Sequence, residues 1–282
     1  MAGMSRAHRN WLGATAVVAV AAMLAGGCAT TSTREETAAA LDRVLASATR
    51  NDANRARDVY RHPRETLLFF GIRPELHIAE IWPEPGWYTE ILAPLVKDAG
   101  AYLAVTQAPN PKSKYITETE NRFDAFLTRH AAEFGSIGRG TLDGGGADIA
   151  PAASLDLILT FRNLHNWCKD GSAPKVLTAF FRALKPGGVL GVVDHRAAST
   201  APVDRTAKSG YVNEDYAISL IESAGFRLVA KSEINSNPKD TKDYEQGVWT
   251  LPPAYRLGDK DRAKYQAIGE SDRFTLKFVK PG

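Results

Sequence analysis

The sequence predicts an α/β fold, a mostly parallel sheet with helices on both faces, and three observations carry that expectation. Short apolar runs alternate along the chain with longer stretches whose apolar residues recur at helical spacing. Two of the runs, 155–161 and 189–193, are predominantly apolar, as strands covered on both faces are. Residues 76–95, LHIAEIWPEPGWYTEILAPL, read as strand, tight turn and helix, with an acid, Glu80, near the strand's end and Gly86 in the turn. Open α/β sheets hold nucleotide-type ligands with such a unit.

The chain opens on residues 1–27, which read as a secretory signal. Arg6, His8 and Arg9 make a basic start, 11–24 is an uncharged apolar run too short to span a bilayer comfortably, and small residues follow. Cys28 stands directly after Ala25, Gly26 and Gly27, which resembles a bacterial lipobox, although Ala25 occupies the place of the usual large aliphatic residue and Leu24 lies one position further out. That resemblance implies lipidation of Cys28, which then becomes the N-terminus, and an exported, periplasmic protein, anchored to the outer membrane by its lipid. A plain cleaved signal is the alternative. With Cys28 so used, Cys168 is the remaining thiol, no intrachain disulfide can form, and Cys168 reads as a small buried residue.

Residues 28–59 form a polar tether and N-terminal helices. Thr33 and Glu36 have capping-box spacing, Leu41, Val44, Leu45 and Ala48 share one face, and a polar helix over 52–60 stops at His62-Pro63. Residues 60–282 read as one domain without repeats or low-complexity linkers. Strand 77–81 leads through the turn into helix 87–95, stopped near Gly100; strand 102–106 ends at Gln107; one long helix covers 115–134. The glycine-rich stretch 135–146 falls where a third strand belongs. Strand 155–161, helix 174–184, a turn at 185–188 and strand 189–193 follow. A helix over 213–224 has Asn213 as its cap and Gly225 at its end. Strands 226–232 and 274–279 are separated by a Pro- and Gly-rich excursion, 233–272, of the kind that serves as a lid or as decoration.

The chain has 35 basic and 32 acidic residues, a formal charge of +3, and loss of the leader with Arg6 and Arg9 brings it to +1. No electrostatic footprint for nucleic acid is present. Ligands of open sheets bind outside the strands' carboxyl ends. The residues just past each strand are therefore the candidates: Glu80, Trp82, Gly86 and Trp87; Gln107; Arg162, Asn163 and His165; Asp194 and His195. Trp82 or Trp87 offers an aromatic face to an adenine or a cation. Arg162 and Asn163 belong to a polar row suited to orienting a small molecule. His165 and His195 can face each other across neighbouring strand ends and act on a proton, with Asp194 as an orienting carboxylate. Their spacing gives no support to a metal site, and none is expected.

With FRNLHNW at 161–167, LKPGGVLGVVDHR at 184–196, GVWTLPP at 247–253 and IGESDRFTLKFVKP at 268–281, residues 60–282 are similar to exported class I methyltransferases of bacteria. The resemblance implies a Rossmann-like sheet, S-adenosylmethionine as cofactor and a small-molecule methyl acceptor. It places Glu80, Trp82, Gly86, Trp87, Gln107, Arg162 and Asn163 against the cofactor, and His165, His195 and Asp194 at the acceptor. Two positions depart from the family pattern. The acid Glu80 should be followed by three alternating glycines, and only Gly86 matches, Trp82 and Glu84 occupying the other two places. The acid at the end of the second strand, which holds ribose hydroxyls, is replaced by Gln107. S-adenosylmethionine is made in the cytoplasm, whereas the leader sends the chain outside. The alternative is therefore a non-catalytic envelope lipoprotein that keeps a degenerate methyltransferase fold and binds another small ligand or a protein. A hydrolase built on Asp194 and His195 lacks a G-x-S-x-G elbow.

Overall fold

The computed structural model describes residues 32–282; the expected signal and Cys28 lie outside the described residues. Helix α1 (Arg34–Leu45) begins at the expected capping box: Thr33 Oγ1 accepts from the Glu36 N–H, and Glu36 accepts from the Thr33 N–H at 2.8 Å. In place of one helix over 52–60 there are two single turns, α2 (Asp52–Arg55) and α3 (Asp58–Arg61). A further helix, α4 (Pro63–Phe70), starts at the proline that reads as a terminator. At the first helical position proline's missing N–H costs nothing and its fixed φ suits the helix.

The main domain runs β1 (His77–Ile81), α5 (Thr89–Val96), β2 (Ala101–Gln107), α6 (Lys114–Arg129), α7 (Ala131–Phe134), β3 (Ile137–Leu142), β4 (Leu155–Phe161), α8 (Leu164–Asp170), α9 (Ala173–Ala183), β5 (Leu184–His195), α10 (Glu214–Ser223), β6 (Arg227–Ser232), α11 (Arg262–Ile268) and β7 (Arg273–Val279). The seven strands form one sheet in the order β3-β2-β1-β4-β5-β7-β6, parallel except for β7, which pairs antiparallel with both β5 and β6. The order turns back between β1 and β4, so a crevice opens there at the carboxyl edge.

Strand alternation divides the core between the two faces. Ile78, Leu157, Leu159 and Val193 pack with Leu41, Leu67, Phe70 and the apolar side of α5. Ala79, Ile81, Ile158 and Val192 pack with α9 and α10 on the other face, through Val176, Leu177, Phe180, Ala217 and Ile221. Asn213 caps α10 as expected, its side chain accepting from the Tyr216 N–H.

Three expectations are corrected. The long helix over 115–134 breaks at His130, whose φ of −110° and ψ of 17° lie outside the helical well. The turn at 185–188 is absorbed into β5, and the pairing slips there: Leu155 faces Leu184 but Leu157 faces Val189, so the extra residues bulge. The excursion carries its own structure, a 3₁₀ turn (Gly247–Thr250) and α11.

Candidate active site

A cavity of about 1110 Å³ sits at the carboxyl edge, floored by the ends of β1, β2, β4 and β5 and walled by Trp249, Pro252 and Pro253 of the excursion. Of the ten expected cofactor and acceptor residues, eight line it; Gly86 and Asp194 do not.

Glu80 is 3 % exposed and lies on the α5 side of the sheet. The hydroxyls of Tyr102 and Thr89 donate to its Oε2 at 2.6 and 3.1 Å, while Oε1 has no hydrogen-bond partner among the described residues. Burial pushes the carboxyl up to about 8 against the pull of those two hydroxyls. Burial also pushes Glu84 up to about 7. Trp82, half-buried at the mouth, is held at a φ of 49°, a left-handed conformation unusual for a bulky residue, and packs edge-on to Trp167 at 5.4 Å. Arg162, just past β4, is held likewise at 64°. Non-glycine residues in this region concentrate where the surrounding structure fixes a functional geometry. Gln107 lines the cavity at the end of β2 with its amide unpaired by the described residues.

Three expected cofactor contacts serve the framework. Gly86 has a φ of 95°, and a Cβ added there would overlap the Phe126 ring, so this glycine admits a neighbouring side chain, not a ligand. The Trp87 indole N–H donates to the Asn54 carbonyl at 3.0 Å, and Arg61 stands 4.6 Å over its ring, which occupies the indole before any ligand arrives. The Asn163 amide donates to the Ile81 carbonyl at 2.8 Å and to Thr160 at 3.2 Å, tying the end of β1 to β4.

The two histidines do meet, their rings 5.2 Å apart. Asp194, fully buried on the α8 side, accepts the His165 backbone N–H at 2.8 Å and stands 2.9 Å from His165 Nδ1. A carboxylate there holds the proton on Nδ1 and leaves Nε2 as the acceptor. His195 Nδ1 bonds the Ser271 hydroxyl, and burial, then His165 and three arginines, push its pKa well down, so it is neutral near pH 7. Asp194, His165 and His195 place one ligating atom each within 4.8 Å. The Asp194 oxygens already accept from His165 and from the His195 N–H, so hydrogen bonds among its own members hold this cluster together. Trp249 packs edge-on to His165 at 6.1 Å, so the excursion covers this side chain.

One group is absent from the sequence reading. Glu270 accepts from Arg57 Nε at 2.6 Å, Arg61 Nε at 3.2 Å and Arg273 Nη2 at 2.6 Å, and all four line the cavity. Burial raises the Glu270 carboxyl, but the joint field of Arg273, Arg61, Arg162 and Arg57 outweighs it and holds the group well below the carboxylate range. From sequence, residues 269–272 read only as the end of the excursion, a lid or a decoration. The i, i+4 pair Arg57 and Arg61 was the available signal that two guanidiniums share a helical face.

No known family model matches the chain, and no curated protein matches it in sequence. Solved structures do. A SAM-dependent methyltransferase from Aquifex aeolicus is similar with a TM-score of 0.54 at 15% identity, over 80% of this chain and 93% of that one. The cyclase SpnF is similar with a TM-score of 0.55 at 13% identity, over 89% and 97%. An arsenic(III) S-adenosylmethionine methyltransferase from Chlamydomonas reinhardtii gives 0.50 at 14% identity, over 86% and 73%. A cyclase on the same framework shows that the architecture by itself names no reaction. The chain has the Rossmann-like fold of SAM-dependent methyltransferases, a seven-stranded sheet with its last strand reversed.

Proposed function

We propose that this chain is a SAM-dependent methyltransferase of a small-molecule acceptor, working in the carboxyl-edge cavity. The observation that carries the reading is the meeting of two sets of residues in one cavity: Glu80, Trp82 and Gln107 from the ends of β1 and β2, and an Asp194-backed His165 of α8. The residues present fit the cofactor. The volume exceeds what a nucleoside-sized ligand needs, Glu80 Oε1 and the Gln107 amide are unspent, and Trp82 offers a ring at the mouth. S-adenosylmethionine bound there would supply an electrophilic sulfonium methyl. Gln107 would hold ribose hydroxyls and Glu80 Oε1 would hydrogen-bond a polar group of the cofactor. His165 Nε2 would take the proton released by an acceptor O–H or N–H, and Asp194 would stabilise the imidazolium so formed. The excursion, through Trp249, would keep water from the base. The basic, apolar and small-residue leader with Cys28 supports an exported chain anchored by lipid.

Calorimetry on the full chain in detergent tests the reading. S-adenosylhomocysteine should bind with micromolar affinity, and Trp82→Ala should weaken it about tenfold, the worth of one aromatic contact. No heat and no thermal shift at millimolar ligand would refute it in favour of a binding lipoprotein that has lost the cofactor.

A further inference from the structure

We propose that Arg57, Arg61, Arg162 and Arg273 form an oxyanion subsite that holds a carboxylate or phosphate of the methyl acceptor, an inference that rests on the methyltransferase reading above. The four guanidiniums reach the cavity from separate parts of the chain, the α3 turn, the end of β4 and the start of β7, and three of them, Arg57, Arg61 and Arg273, share one carboxylate, Glu270. Arg61 and Glu270 are 2 % and 3 % exposed. A buried charge excess of this kind is costly unless another anion completes it.

The donors show the same deficit. Arg61 spends only Nε on Glu270; its Nη1 and Nη2 are buried without a partner, and so is Nη2 of Arg57. Arg162 makes no ion pair among the described residues, although its backbone is held in the left-handed region beside the cavity. Buried polar atoms are nearly always satisfied, so a set of unpaired N–H groups on residues of one cavity marks the neighbourhood of an absent acceptor. Guanidiniums bind carboxylate and phosphate through paired N–H donors.

The cavity is polarised, and that assigns the anion to the acceptor. Glu80 and Glu84 stand at and just past the end of β1, while Arg57, Arg61 and Arg273 gather about Glu270, and Arg162, past β4, acts on both Glu80 and Glu270. A cofactor with both a sulfonium and an ammonium carries net positive charge, which the acidic side attracts and the arginines repel. An anionic acceptor would be drawn to the arginine end, leaving its nucleophile toward His165.

The test uses the full chain in detergent, inorganic phosphate and malonate as probes, and calorimetry with and without saturating S-adenosylhomocysteine. At least one probe should bind saturably in both conditions, and the tighter of the two names phosphate or carboxylate. Arg162→Gln, chosen because that side chain supports no ion pair, should weaken binding about tenfold with its melting temperature kept. Arg61→Gln should do the same if it folds, but Arg162→Gln decides. Absence of binding, or equal affinity in Arg162→Gln, would overturn the proposal. So would displacement of the probe by S-adenosylhomocysteine but not by methylthioadenosine, which lacks the carboxylate; the cluster would then belong to the cofactor. Probe binding in a chain that takes up no S-adenosylhomocysteine would remove the acceptor role and the methyltransferase reading together. Cofactor binding without probe binding would remove this inference alone.

Discussion

Replacing Glu80 by Gln gives a stability profile that reports directly on the buried end of β1. The carboxyl is raised from an ordinary 4.5 to about 8 because burial disfavours its charge more than Tyr102 and Thr89 favour it. The folded state therefore holds a proton that the unfolded chain releases. A raised acid contributes stability fully present below pH 4.5, which is lost as pH rises toward the folded value of about 8. The slope approaches 1.4 kcal/mol per pH unit between those limits, so the wild type should lose roughly 3–4 kcal/mol from this group alone between pH 5 and pH 8. Glutamine keeps the carbonyl acceptor for both hydroxyls and cannot ionise. Urea unfolding of wild type and Glu80→Gln at both pH values gives the comparison. Glu84 and other acids titrate in both proteins and cancel in the difference. The expected result is a stability difference in favour of Glu80→Gln that grows by about 3 kcal/mol from pH 5 to pH 8. Parallel profiles would mean that Glu80 is ionised and solvated, and the account of the β1 terminus would fail.

The remaining expectations concern the framework, the base and the leader. Gly86→Ala should destabilise by roughly 2–4 kcal/mol, because a left-handed φ and overlap with Phe126 act together; a thermal melt unchanged within a degree would refute the packing account. Asp194→Ala should cost roughly 2–4 kcal/mol, since it leaves the His165 backbone N–H and Nδ1 buried without an acceptor, and urea unfolding measures it. In bacteria fed labelled palmitate, the label should appear in the wild-type chain and vanish in Cys28→Ser; label persisting in the variant would place the modification elsewhere.

The strands and most helices were legible because their signals are local. The predominantly apolar runs at 155–161 and 189–193 declare strands covered on both faces, and the Thr33–Glu36 and Asn213 caps mark helix starts within four residues. The carboxyl-edge rule then placed Glu80, Trp82, Gln107, His165 and His195 around one cavity without any distance being known.

Tertiary structure decided what depends on residues far apart in the chain. Nothing local shows that Gly86 is required by Phe126, 40 residues away, or that Trp87 is taken by Asn54 and Arg61. Proline at 63 can stop one helix or start the next, and only packing of Leu67 and Phe70 against the sheet selects the start. Glu270 meets Arg57 and Arg61 across more than 200 residues because β7 runs antiparallel between β5 and β6 and so starts at the carboxyl edge, directly after Glu270. The sequence by itself determines which segments are strands and helices, since periodicity and capping act over a few residues. Which polar groups share a cavity is set by strand order and by chain reversal, and these arise only when the whole core is buried at once.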